Sequence, residues 1–130
     1  MIAAHAANKT LYAGKLKFDP VKGFAPISLV AVAPLIMTVT NSLPVKNVAE
    51  FIAYAKQNPG KIRFSSVGVG SFIQFDMEIL AKRAGIQLVH IPNKQGAAGS
   101  VKDVATGDAQ VAFLNMATTA PLIRGGQMRP

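Results

Sequence analysis

The stretch Lys61–Gly85 places a strand, a turn and a helix in immediate succession, and this order restricts the fold to a few classes. We interpret Ile62–Ser65 as a short strand and Ser66–Gly70 as a glycine-bearing turn. Ser71 and Gln74 form an S-x-x-Q capping box, so a helix begins at Ser71 and runs to the closing glycine of the stretch. Its apolar residues recur at helical spacing and predict a face that packs on a sheet: Ile73, Met77, Leu80, Ala81 and Ala84.

The two glycines of this turn predict an anion-binding site. Gly68 and Gly70 carry no side chains, so backbone N–H groups are expected to point outward at the positive end of the helix dipole. Ile73 stands where a dinucleotide fingerprint has its third glycine, and no Lys-Ser/Thr pair follows, so nucleotide binding is not expected. The alternative is that the glycines only form a tight turn and that Ser71 only caps the helix.

Composition bounds the class of protein. The chain has 130 residues, half of them apolar and 15% charged, which fits one globular domain. It has no cysteine, and its start lacks the basic and apolar regions of a secretory leader. The formal charge of +8 favours acidic partners, but the 14 basic residues are scattered along the chain and form no nucleic-acid-binding motif. We therefore expect no nucleic-acid partner.

The rest of the chain alternates between strands and helices. Residues 1–26 lack this pattern and are interpreted as an irregular connecting segment. Two buried central strands are predicted over Ile27–Ala33 and Leu35–Thr40, and Asn47 with Glu50 forms a second capping box. The remaining elements are a helix ended by Asn58-Pro59-Gly60, a strand over Gln87–Ile91, a helix from about Val101 to Gly107, a strand over Ala109–Leu114 and a helix around Thr118–Arg124.

This alternation predicts an α/β fold with a mostly parallel sheet and helices on both faces, which binds ligands at the carboxyl ends of its strands. Three loops leave strand ends toward helix starts: Ser65–Ser71, Asn93–Ser100 and Asn115–Thr118. If these loops converge, they line one crevice with backbone donors, hydroxyls, amides and few acids, which suits a carboxylate.

Few residues suggest catalysis or cofactor binding. His90 lies among apolar neighbours in a strand, which is typical of a packed or hydrogen-bonded histidine. Ser65, Ser66 and Ser71 have no base beside them in the sequence and lie in no G-x-S-x-G motif. We expect no enzyme, metal site or cofactor. A small α/β enzyme stays open as an alternative. The position of His90 relative to the Ser66–Ser71 turn distinguishes an enzyme from a binding protein.

Several motifs in fixed order resemble a known family over essentially the whole chain. They are YAGKLKFDPVKGFAPISLVAVAPLIMTV, LPVKNVAEFIAYAKQNPGKIRFSSVGVGS, VHIPNKQGAA and AQVAFLN with LIRGGQMR. The chain resembles the middle of the extracytoplasmic solute receptors of tripartite tricarboxylate transporters, the Bug family. The resemblance implies a type II periplasmic-binding-protein lobe that closes with a second lobe on a small organic anion.

The resemblance also implies domains, partners and location. Residues 1–26 would connect from the first lobe and 27–130 would form the second lobe of a periplasmic receptor that serves membrane transporter subunits. Surfaces that the first lobe would cover are then expected to favour self-association. The effector-binding domain of a transcription regulator with the same fold is the alternative function.

Candidate ligand-binding residues follow from the turn and from the resemblance together. The residues of the turn and helix start are Ser65, Ser66, Val67, Gly68, Gly70, Ser71 and Gln74, of which Ser66, Gly68, Gly70 and Ser71 match the ligand-facing loop of the family. By the same resemblance Lys94, Gly96 and Asn115 follow later strands, and His5 lies in a segment matching the other lobe. Val69 and Leu114 stand where the family often has polar residues, which points to a less polar ligand.

Overall fold

The computed structural model describes residues 3–130, which contain five helices and four strands. In chain order the elements are α1 (Ala3–Leu11), β1 (Leu35–Val39), α2 (Val48–Gln57), β2 (Ile62–Ser66), α3 (Phe72–Ala84), β3 (Leu88–Pro92), α4 (Gly96–Thr106), β4 (Val111–Asn115) and α5 (Met116–Arg124). Every helix in this range is too short or too polar to cross a lipid bilayer.

The four strands form one sheet in the order β1-β4-β2-β3. Strands β4, β2 and β3 are parallel, whereas β1 runs antiparallel to β4 with Leu35 opposite Asn115. The chain crosses from β2 to β3 through α3 and returns from β3 to β4 through α4. The mostly parallel sheet with helices that the sequence predicts is confirmed.

Two apolar cores lie on opposite faces of the sheet. Alternation along β4 separates them, because Val111 packs in the first core and Ala112 in the second. The first core contains residues of α2 and α3, namely Phe51, Ala55, Met77 and Ala81, with Ile62 and Phe64 of β2. The second contains Val104 of α4 with Leu114, Met128 and the half-buried Leu122 and Ile123 of α5. Helices therefore cover both faces.

The prediction of a strand over Ile27–Ala33 is wrong. Within residues 3–130 this segment belongs to no strand or helix, and Ile27 and Val30 are 99% and 93% exposed. A β-branched apolar sequence favours an extended backbone, whereas a strand also requires a neighbour to pair with. The expectation that Leu35–Thr40 is a central strand is also wrong, because β1 lies at the edge of the sheet.

Helix α1 lies in the segment that the sequence analysis interprets as irregular. The glycine and proline residues of that segment all follow Leu11, so they do not interrupt this helix. After it, Asp19 Oδ1 accepts hydrogen bonds from the N–H groups of Val21 (2.7 Å) and Lys22 (3.0 Å) and closes a turn. The expectation for residues 1 and 2 lies outside the described residues.

Two further helices begin earlier than predicted. Helix α4 begins at Gly96, within the predicted loop, and α5 begins at Met116 immediately after β4. The Asn115 side chain caps α5 by accepting from the N–H of Ala117 at 2.9 Å. The loops at the strand ends are therefore shorter than predicted, which brings the helix starts close to the sheet.

Candidate ligand-binding site

A crevice of about 460 Å³ lies at the carboxyl ends of β2 and β4. It occurs where the chain leaves β2 for one face of the sheet and β4 for the other, which is the usual position of ligands in open α/β sheets. All three predicted loops contribute to it, together with the start of β1. The lining residues are Leu35, Val67, Phe72, Ile73, Ala97, Val101, Leu114, Asn115 and Thr118.

The turn before α3 is closed by hydrogen bonds within the turn. Ser66 Oγ accepts from the N–H of Gly68 (3.2 Å) and donates to the carbonyl of Gly68 (3.1 Å). Gly68 and Gly70 have φ values of 129° and 80°, a region that favours glycine. A Cβ at Gly70 would lie 3.3 Å from the Leu11 side chain, so α1 approaches the turn closely.

Two of the N–H groups in this turn, those of Gly68 and Gly70, are not free for an anion. The N–H of Gly68 donates to Ser66, and that of Gly70 donates to Gln74 Oε1 at 2.8 Å. Ser71 Oγ accepts from the N–H of Gln74 (3.3 Å), which confirms the predicted cap. The side chains of Ser71 and Gln74 thus satisfy two N–H groups at the start of α3.

Two free backbone donors follow Ser71 directly in the chain. Within residues 3–130 the N–H groups of Phe72 and Ile73 make no hydrogen bond, and both residues line the crevice. At the start of α5, the N–H of Thr118 also has no acceptor among the described residues. Unsatisfied N–H groups in the first turn of a helix carry partial positive charge and attract anions. The crevice therefore combines two such helix starts.

Asp103 of α4 lies on the second face of the sheet and forms hydrogen bonds to the residues where the chain leaves β2 and β3 beside the crevice. Its Oδ2 accepts from the Ser65 hydroxyl (2.7 Å) at the end of β2 and from the Asn93 side-chain amide (2.8 Å) after β3. Asn93 Oδ1 in turn accepts from the N–H of Gln95. A Cβ at Gly99 would overlap with that oxygen, so only glycine allows this approach. Asp103 was not among the predicted site residues, because its partner Ser65 lies 38 residues away in the chain.

His90 contacts the turn directly. Its Nε2 lies 2.6 Å from Ser66 Oγ, and its ring stacks on Phe64 with centroids 4.8 Å apart. The two strands are in register here, with Phe64 opposite His90, so His90 and Ser66 lie on one face. Burial lowers the pKa of His90, and the charge of Glu78 opposes that shift. Sequence reasoning finds no base beside Ser66, because parallel pairing brings the two residues together across a separation of 24 in the chain.

The Ser66 and His90 pair lacks other features of a nucleophilic site. Ser66 is fully buried, and no carboxylate among the described residues hydrogen-bonds to His90. The part of the chain that the structure describes also contains no cluster of three His, Cys, Asp or Glu side chains that could hold a metal ion.

The predicted site residues divide into three groups. Val67 and Asn115 line the crevice, and Gly96 opens α4 beside the lining residue Ala97. The residues that build the turn and caps behind the crevice are Ser65, Ser66, Gly68, Gly70, Ser71 and Gln74. Lys94 and His5 lie outside: Lys94 is exposed, and His5 contacts the Pro20 carbonyl in a separate hollow beside Phe24.

Some lining residues were missed because only the folded chain brings them together. Leu35 comes from the antiparallel edge strand, and Val101 lies a full turn inside α4. Thr118 lies within a loop that the sequence analysis identified, so its hydroxyl near a strand end was a usable signal.

Solved structures share this fold. The periplasmic binding protein BugD superimposes with a TM-score of 0.85 at 26% identity, over 99% of this chain and 42% of its own. R. palustris Rpa4515, solved with adipate, superimposes with a TM-score of 0.79 at 32% identity, over 87% of this chain and 38% of its own. The fold and the crevice at its strand ends define the class of periplasmic binding proteins.

Sequence relatives narrow this class. A UPF0065 protein in the gbd 5' region of Cupriavidus necator is 34% identical over 118 residues, which are 91% of this chain and 36% of the relative. A UPF0065 protein of Bordetella pertussis is 29% identical over 113 residues, covering 87% of this chain and 34% of the relative. The sequence model of the tripartite tricarboxylate transporter family receptor matches residues 1–130, so the chain belongs to that family. It spans about a third of the length of these relatives.

Proposed function

We propose that this chain is the second ligand-binding lobe of a periplasmic solute receptor that captures a small carboxylate or related organic anion for a membrane transporter. The observation that carries the proposal is the crevice between the starts of α3 and α5, where the N–H groups of Phe72, Ile73 and Thr118 have no acceptor within residues 3–130. The adipate bound to the R. palustris relative supports a ligand of the carboxylate class.

The charge of the site supports an anion. No acidic side chain lines the crevice among the described residues, and the whole chain carries a formal charge of +8. A carboxylate that accepts from N–H groups at a helix start gains charge-assisted hydrogen bonds and a favourable dipole interaction. The hydroxyl of Thr118 and the amide group of Asn115 offer further donors at the start of α5.

The same proposal assigns residues 1–26 to a connection from the first lobe and 27–130 to the second. Closure of two lobes would exclude water from the ligand and supply donors from both sides. This chain alone is therefore expected to bind in the millimolar range. Its exposed segment from Ile27 to Val32 is proposed to favour self-association.

We propose a receptor that binds its ligand and catalyses no reaction. The contact between Ser66 and His90 is the one observation that favours a small α/β enzyme instead. Full burial of Ser66 disfavours it, because a nucleophile must reach its substrate. Ester hydrolysis by the purified chain that is lost on Ser66→Ala substitution would establish the enzyme in place of the non-catalytic receptor.

A titration of the chain with succinate, followed by amide NMR, tests the proposal. We expect the largest shift changes at the N–H groups of Phe72, Ile73 and Thr118. Thr118→Val removes one hydroxyl from the crevice at constant size and should weaken binding roughly three- to ten-fold, the effect of one hydrogen bond.

Thr106→Val is the matched control, since Thr106 lies exposed at the end of α4, outside the crevice lining. The affinity of the Thr106→Val variant for succinate should equal that of the unaltered chain. Saturating shift changes confined to another surface would contradict the assignment of the site to the crevice. Micromolar or tighter binding by the monomer would contradict the need for a second lobe.

A further inference from the structure

We propose that the crevice selects carboxylates whose body is an unsubstituted hydrocarbon chain over hydroxylated acids of the same charge. This inference rests on the proposed function and specifies the ligand class of the same site. The juxtaposition that carries it is a pair of helix starts with free N–H groups in a crevice whose lining is otherwise mostly apolar.

The lining is mostly hydrocarbon. Seven of its nine residues are apolar, contributed by the sheet, by the turn after β2 and by two helices on opposite faces: Leu35, Val67, Phe72, Ile73, Ala97, Val101 and Leu114. No charged side chain of the described residues belongs to this lining. A ligand segment that lies on these walls loses its contacts with water and gains no hydrogen bonds from side chains.

The polar groups of the lining lie close to each other in the chain. Asn115 and Thr118 both belong to the start of α5, and Asn115 Oδ1 already accepts from the N–H of Ala117. The remaining donors suit the carboxylate end of a ligand. A hydroxyl further along the ligand would meet Leu35, Val101 or Leu114 and would be left without a partner.

Ligand pairs that differ only in hydroxyl groups isolate this effect. Succinate, malate and tartrate share four carbons and two carboxylates, and adipate and galactarate share six carbons. We expect each added hydroxyl to lower the affinity at least about five-fold, because it is buried unpaired. We expect each methylene added from succinate to adipate to raise it roughly four-fold.

A matched pair of variants tests whether the apolar wall is responsible. Val101→Thr places one hydroxyl in the crevice at constant shape and should reduce the preference for succinate over malate several-fold. Val89→Thr makes the same change at an exposed residue of β3, outside the crevice lining, and should leave the preference unchanged. If Val101→Thr fails to fold, as judged by its amide spectrum, the ligand series with the unaltered chain decides.

Three outcomes are distinguishable in amide NMR titrations of the chain. Succinate and adipate binding ahead of their hydroxylated partners, with shifts at Phe72 and Ile73, supports the inference. Malate or tartrate binding at the same N–H groups with equal or higher affinity overturns it and leaves the proposed function standing. Failure of all five acids to shift these N–H groups overturns both.

Discussion

At the scale of single residues, His90 is the group with the most direct influence on the turn beside the crevice. Its Nε2 lies 2.6 Å from the Ser66 hydroxyl, and Ser66 in turn holds both the N–H and the carbonyl of Gly68. Neutral His90 can accept a hydrogen bond at Nε2, whereas the protonated ring can only donate one. Protonation of His90 therefore leaves Nε2 only as a donor to Ser66 Oγ, whereas the role of Nε2 in the neutral ring depends on the tautomer.

Stability is expected to depend on the charge of His90. Because burial lowers the pKa of His90 below its ordinary value of 6.5, the unfolded chain binds this proton more readily than the folded chain. The contribution to stability is fully present above pH 6.5 and is lost as the pH falls through 6.5 toward the lower pKa of the folded state. His90→Gln keeps a hydrogen-bonding side chain and abolishes this titration.

Urea unfolding of both proteins between about pH 5 and 8 measures this effect. The free energy of unfolding of the unaltered chain, minus that of His90→Gln, should decrease as the pH is lowered below 6.5. A difference that stays constant over the whole range would show that folding does not change the pKa of His90.

At the scale of elements, Asp103 joins the ends of β2 and β3 to α4. A single carboxylate oxygen accepts from Ser65 and from Asn93, so one side chain determines where both loops leave the sheet. Hydrogen bonds to charged groups each contribute about 1.5–3 kcal/mol. The rim of the crevice is thus positioned by α4, a helix on the face opposite α3.

Asp103→Ala should destabilise the fold by about 2–4 kcal/mol, because it leaves the Ser65 hydroxyl and the Asn93 amide without their acceptor. Asp108→Ala is the control, since the side chain of exposed Asp108 accepts from the exposed Thr106 hydroxyl. Its effect should stay within about 0.5 kcal/mol. Urea unfolding monitored by circular dichroism measures the free energy of unfolding of both variants. An equal loss in the two variants would contradict this role of Asp103.

The elements that sequence reasoning predicted correctly are those defined by local interactions. Ser71 and Gly85 bound α3 through contacts within a few residues, so the sequence alone predicts both ends of that helix. The unpaired segment Ile27–Ala33 and the antiparallel edge strand β1 could not be predicted, because strand pairing depends on neighbours far along the chain. For the same reason the crevice was predicted as a meeting of loops, but the residues whose N–H groups are free, Phe72, Ile73 and Thr118, were not identified.

At the scale of the whole molecule, the segment from Ile27 to Val32 presents apolar side chains to solvent. Ile27, Leu29, Val30 and Val32 are all more than three-quarters exposed. Its backbone makes no hydrogen bond within residues 3–130, which leaves N–H and carbonyl groups available to another strand.

We expect the chain to form dimers at high concentration through this segment. Val30→Lys should shift the equilibrium toward the monomer at least about ten-fold, because a charge opposes strand addition and apolar burial. Val48→Lys, at an exposed residue of α2, is the control and should have no effect. Sedimentation equilibrium measures the association constant, and a chain that stays monomeric at millimolar concentration would contradict the expectation.

The shared Asp103 oxygen has a mechanical consequence for the crevice. Because Ser65 and Asn93 are tethered to one atom, the starts of the two loops can shift only in concert, as a single unit with α4. The opposite wall includes Leu35 and Thr118. Neither residue makes a hydrogen bond to this oxygen. Ligand exchange should therefore leave the spacing between these two loop starts unchanged.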